Sequence, residues 1–141
     1  MKFNLILFAM MYWIVKTEPN AYSWMDLENE GEVVWDGVRN FQARNFLKQM
    51  QVGDQVYFYH SGAEKALVGL AEVRKEASTD GQDGAWVAVV LAPSYRLASP
   101  VTLRQIQEDP RLREISLVKQ SRLSVHSLDK EAFLLISKLA V

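Results

Sequence analysis

The residues of this chain that could do chemistry gather in three stretches. The densest is Trp35 to Asn45, WDGVRNFQARN, with two Arg-Asn dipeptides, Arg39-Asn40 and Arg44-Asn45, five residues apart. Guanidinium groups are planar forks that suit phosphate or carboxylate. Amide side chains carry a donor and an acceptor together, which suits the edge of a nucleobase. An indole offers a face on which a ring can stack. The same Arg-Asn pairs serve equally well as helix caps and as partners of surface carboxylates such as Asp36, and residue types alone leave both readings open. The second stretch is Lys16-Thr17-Glu18 with Tyr22 and Ser23, polar groups around a strand end and a turn. Such rims commonly line binding sites, and a solvated turn is the plainer reading. The third is Tyr59-His60-Ser61. Neighbours on a strand point to opposite faces, so His60 is badly placed to activate Ser61 as a nucleophile. A base contact or a structural pair fits these residues better.

Hydrophobic spacing predicts the elements that hold these groups. Ala43, Phe46, Leu47 and Met50 recur at i, i+3, i+4 and i+7, one buried helical stripe, with Asn40 as its N-cap. Arg39 then lies just before the helix, and Arg44 and Asn45 lie in its first turns, off the stripe. Free N–H groups at such a helix start attract anions. Upstream, YWIVK reads as a strand ended by Glu18-Pro19-Asn20, Ser23 and Asp26 as a capping box, and EVVW as a short strand. Downstream, QVYFYH alternates, with Val56 and Phe58 on one face and Tyr57 and Tyr59 on the other. ALVGLAEV and AWVAVVLA are strands flanking the turn STDGQDG, and Gly69 marks a bulge or a close backbone approach. Thr102 and Gln105 form a second capping box, on a helix that stops near Asp109. SRLSV reads as the last strand, with Leu123 and Val125 inward and Lys119 and Arg122 on a basic rim or a solvated face. Ala132, Phe133, Ile136 and Leu139 form the stripe of a C-terminal helix. Many short strands and few helices predict an α+β domain built as a small, partly closed β-barrel with helices outside, not a doubly wound sheet.

Composition bounds the partners. The 141 residues are 49% hydrophobic with a formal charge of −1, which suits one domain with a substantial core. Proteins that grip duplex DNA through its phosphates carry a basic excess, so any nucleic-acid binding here must rest on local contacts. There is no cysteine and there are only two histidines, so no metal or cofactor is expected. The apolar start MKFNLILFAMMYWIV has no small-residue cleavage site after it and is too short for a membrane span. It reads as an extension over residues 1–10, ahead of one domain over 11–141, with Met10 or Met11 as the biological start. A monomer in the cytoplasm, away from membranes, is the expectation.

Taken in order, YWIVKTEP, YSWMDL, WDGVRNFQARNFLKQMQVGDQVYFYHS, LVGLAEV and SRLSV resemble the EVE domain family, over Tyr12 to Ala140. The resemblance implies a PUA-like mixed β-barrel flanked by short helices, similar in architecture to YTH and ASCH domains. It implies a non-catalytic module that binds nucleic acid, DNA or RNA, and reads a modified base, modified cytosine foremost. The family's pocket motif falls on Lys16, Thr17 and Glu18, on Tyr22 and Ser23, on Trp35, Asp36, Gly37, Val38, Arg39, Asn40, Gln42, Ala43, Arg44 and Asn45, and on Tyr59, His60 and Ser61. In that reading Trp35 stacks on the base with Tyr22 or Tyr59. Asn40, Ser23 and Thr17 bond its edge, and Arg39, Arg44 and Lys16 hold phosphate or sugar. Thr17 stands where the family commonly has Ser, and the loop after Val73 is shorter than in many relatives. The first change tightens the site and the second opens it. Two other classes stand beside this reading. One is an enzyme acting on a nucleotide or small anion, with His60, Glu18 or Lys16 as acid or base. The other is a protein-interaction module.

Overall fold

In a computed structural model that describes residues 10–141, the apolar run YWIVKT becomes strand β1 (Tyr12–Thr17). Apart from the exposed Met10, the expected N-terminal extension lies outside the described residues. Helix α1 (Trp24–Glu30) starts at the predicted capping box: Ser23 accepts the Asp26 N–H and Asp26 accepts the Ser23 N–H. Strand β2 (Val33–Trp35) leads through a turn into helix α2 (Phe41–Gln49), capped by Asn40, with Ala43, Leu47 and Met50 buried. Strands β3 (Gln55–His60), β4 (Ala66–Thr79) and β5 (Val87–Thr102) follow as a meander. Helix α3 (Leu103–Glu108) carries the second capping box, and α4 (Ser116–Lys119), β6 (Val125–Leu128) and α5 (Lys130–Leu139) complete the chain.

The strands form one sheet in the order β2-β5-β4-β3-β1-β6. Among the described residues only β1 and β3 pair in parallel, and the crossover that this requires contains α1, β2 and α2. The register breaks between Phe58 and Tyr59 and at four points along β4–β5. Such bulges bend strands and sharpen twist, so the sheet curls. Its inner face carries Trp13, Val15, Phe58 and Val89, with Trp35 and Val125 from the two edge strands and Leu47 from α2. Its outer face carries Ile14, Tyr57 and Tyr59 beneath Ile106, Phe133 and Ile136 of the flanking helices. The predicted alternation in QVYFYH holds, and both of its faces are buried.

Gly69 is both a bulge and a close approach. The register shifts beside it, and a Cβ there would stand well inside van der Waals contact of the Trp24 ring. Asp54 is buried at the start of the meander. It accepts the Trp13 indole N–H at 2.9 Å and the Gln51 backbone N–H at 3.0 Å.

Three sequence expectations need correction. β4 continues to Thr79, so the segment after Val73 is strand rather than loop. β5 extends ten residues beyond Ala92, to Thr102. SRLSV is not a strand: Ser121–Ser124 form a turn, and β6 begins at Val125. The turn's carbonyls find partners outside a ladder. Lys16 Nζ donates to Ser121 O at 2.6 Å, the Lys16 backbone N–H donates to Ser124 O at 2.9 Å, and His126 Nε2–H donates to Leu123 O at 2.8 Å. Lys119 accordingly sits on α4 and Arg122 in the turn, while Leu123 and Val125 point inward as expected.

Candidate functional site

The curled sheet leaves a gap where its two ends approach. Lys16 and Thr17 of β1, with Ser124 beside β6, face β2 and the Asp36–Arg39 segment across a cavity of about 450 Å³. Its volume lies in the range of small-ligand sites, roughly 300–1,000 Å³.

One wall is apolar, made by Val33, Val34, Trp35 and Val38. The Trp35 ring is held edge-on against Tyr22 and Phe58, with centroids at 6.1 and 5.5 Å. Beyond it the chain must turn from β2 into α2, and Gly37 does this at φ 75°, a conformation that favours glycine. Asp80, from the β4–β5 turn, fixes that bend. Its Oδ2 accepts the Gly37 N–H at 2.9 Å and an Arg39 guanidinium N–H at 2.9 Å. The Gly37 bond first, and Arg39 second, hold the Asp80 carboxyl below the usual carboxylate range.

The opposite rim is polar. Lys16 Nζ lies 5.6 Å from the Tyr59 ring centroid, and burial lowers its pKa. Thr17 Oγ1 donates to Tyr22 O at 3.0 Å. The Tyr22 hydroxyl donates to Glu30 at 2.6 Å; burial and then Glu30 raise its pKa, so it stays protonated. Asp36 is exposed at the cavity edge. The arrangement offers a planar molecule an apolar wall and a carboxylate acceptor, with the Arg39–Asp80 pair at its edge.

The cavity brings together Lys16, Thr17, Tyr22, Trp35, Asp36, Gly37, Val38 and Arg39 of the expected residues. The others lie elsewhere. Glu18 shapes the turn through its carbonyl, which accepts the Ala21 and Tyr22 N–H groups. Ser23 caps α1. Asn40 caps α2, accepting the Ala43 N–H at 2.9 Å, and with Gln42 it lines a neighbouring cavity of about 370 Å³ formed with Lys119 to Leu123. Ala43 is core. Arg44 donates to Ala85 O and to Asn45 Oδ1. Tyr59 faces the outer core, leaving Tyr22 as the aromatic partner of Trp35 at the cavity. The Ser61 N–H donates to Thr17 O. His60 has both ring nitrogens engaged: Nε2 accepts the Trp24 N–H at 3.0 Å, so Nδ1–H donates to Glu64 at 2.8 Å. Sequence reasoning missed Ala21, Val33, Val34 and Ser124 on the lining, and Asp80 behind it. Asp80 lies 41 positions from Arg39 in a run that reads as an ordinary turn, so no local signal marked it.

Comparison with known proteins places the chain. It is 41% identical to mouse thymocyte nuclear protein 1 over 81 residues, a match covering 49% of this chain and 36% of that protein. It therefore spans well under half the length of the mammalian relatives it matches. Against the zebrafish protein of the same name the identity is 30%, covering 86% of this chain and 68% of the relative. Among solved structures, the NMR structure of Rpa0253 from Rhodopseudomonas palustris superposes with a TM-score of 0.90 at 37% identity, covering 93% of each chain. Human THYN1 protein, in complex with 5-methylcytosine-containing DNA, superposes with a TM-score of 0.86 at 26% identity, covering 92% of this chain and 97% of that one. An ASCH protein from Zymomonas mobilis, 14% identical with a TM-score of 0.58, shares the fold. The fold is the PUA-like α+β fold, the EVE domain model matches residues 11–139, and the chain belongs to the EVE domain family.

Proposed function

We propose that this protein is a nucleic-acid-binding module that takes a modified base, a 5-methylcytosine-like pyrimidine, into the cavity between β1 and β2. The observation that carries the reading is the pairing of an apolar wall with a polar rim in one cavity of small-molecule size. A carboxylate accepts from the exocyclic amine of cytosine, and Asp36 is the rim acceptor placed to do so. A C5-methyl group gains from apolar contact, and Val33, Trp35 and Val38 supply it. Arg39 at the cavity edge meets a phosphate of the strand. The complex of the human relative with 5-methylcytosine-containing DNA supports the same partner class.

Taking a base out of a duplex costs a few kcal/mol. The near-neutral chain has no broad basic footprint to offset that cost, so plain duplex is bound weakly. The test is a fluorescence titration with matched single- and double-stranded oligonucleotides, DNA and RNA, carrying cytosine, 5-methylcytosine or 5-hydroxymethylcytosine. Tighter binding of a modified strand is the expected result. Equal binding to every oligonucleotide contradicts the proposal.

A further inference from the structure

Beside the cavity stands an aromatic pair that its lining does not include, an exposed Phe41 on a half-buried Trp86. Phe41, the first residue of α2, stacks on Trp86 of the β4–β5 turn, with centroids 5.1 Å apart and ring planes 23° from parallel. The Arg44 guanidinium lies 4.9 Å from the Phe41 centroid and 5.9 Å from that of Trp86. Arg39 lies 5.5 Å from the Trp86 centroid. The separations among Phe41, Trp86 and Arg44 close a compact triangle. Trp86 and Arg44 both pack against the Phe41 ring, and much of the residue still faces solvent. Phe41 is 62% exposed. Burying such a ring against the α2 stripe would have been the ordinary outcome for a phenylalanine. Instead Arg44, anchored to Ala85 O at 3.1 Å, and Asp80, bonded to Arg39, hold the turn and helix start together around it.

An exposed phenylalanine ring in one cluster with two guanidiniums matches a nucleotide, since base and phosphate are recognised together. Arg39 also lines the cavity, and Phe41 follows it by two residues, at most about 7 Å of chain. We infer that Phe41 is a stacking platform for the nucleotide next to the one whose base enters the cavity, with Arg39 and Arg44 facing the phosphate between them. This rests on the proposed cavity function and adds a second subsite to it. Stacking on the platform would replace part of the stacking that the neighbouring base loses when the strand opens.

The experiment compares wild type, Phe41→Ala and Phe41→Tyr in two titrations. One uses a single-stranded oligonucleotide with a central 5-methylcytosine; the other uses free 5-methyl-2′-deoxycytidine, followed by NMR. Phe41→Ala should weaken the oligonucleotide by about 5- to 150-fold and leave nucleoside binding unchanged, and Phe41→Tyr should behave as wild type. Unchanged oligonucleotide binding in Phe41→Ala overturns the platform while leaving the cavity reading intact. An equal loss for both ligands also overturns it, because the ring then serves the cavity. Absence of nucleoside and oligonucleotide binding in wild type overturns the platform and the cavity reading together.

Discussion

Arg39 and Asp80 meet at 2.9 Å across 41 positions of sequence, and the carboxylate oxygen that receives Arg39 also receives the Gly37 N–H. One side chain from the β4–β5 turn thus sets both the backbone bend and a cation of the candidate cavity. Asp80→Ala frees both. It should weaken binding of a 5-methylcytosine oligonucleotide by up to about tenfold, the cost of re-ordering the freed bend and the Arg39 side chain on binding. Parallel titration of wild type and variant checks this.

Asn40 separates a binding role from a structural one. Its side chain accepts the Ala43 N–H at 2.9 Å, as an N-cap does. Asn40→Ala should cost about 1 kcal/mol of stability, and Asn40→Asp should keep most of it. Urea unfolding of both variants is the measurement.

Gly69 lies against the Trp24 ring with no room for a Cβ. Gly69→Ala should destabilise the fold by about 1–3 kcal/mol through overpacking. Adding Trp24→Phe should recover part of the loss, because the smaller ring vacates the space the methyl needs. Chemical denaturation of the single and double variants tests the coupling.

His126 is fully buried, accepting at Nδ1 from the Ser116 hydroxyl and donating at Nε2 to Leu123 O. Burial lowers its pKa from the ordinary 6.5 to about 4. Between those values the unfolded chain takes up a proton that the folded chain refuses. Its contribution is therefore complete above pH 6.5 and is lost as pH falls towards 4, at most about 3 kcal/mol. Unfolding free energies measured from pH 7 to 4 should show this slope, and His126→Gln should flatten it.

Local features of the sequence announced much of the fold. The capping boxes at Ser23 and Thr102, the Asn40 cap and the α2 stripe each lie within a few residues of their partners, so spacing alone reveals them. The Gly69 reading rested on a missing side chain inside a strand. What was not legible depends on residues distant in sequence. Alternation put Tyr59 opposite Phe58, but nothing local says which sheet face holds the cavity. SRLSV has the composition of a strand, yet Lys16 and His126 take its carbonyls and leave a turn. The cavity itself was half visible. Its lining around Trp35 to Arg39 is contiguous in sequence, whereas Ser124 and Asp80 reach it only through the curl of the sheet.

The central claim is that a modified pyrimidine enters the cavity between β1 and β2. An NMR titration of the isotope-labelled protein with 5-methyl-2′-deoxycytidine, and with deoxycytidine as control, tests it most directly. Shifts are expected at the backbone amides of Lys16, Thr17, Asp36–Arg39 and Ser124 and at the Trp35 indole, with the buried Trp13 and Trp24 indoles unmoved. The methylated nucleoside should bind about fourfold more tightly or better, the worth of one buried methyl group. Shifts centred on His60 and Trp24 instead, or identical affinity for the two nucleosides, would contradict that claim.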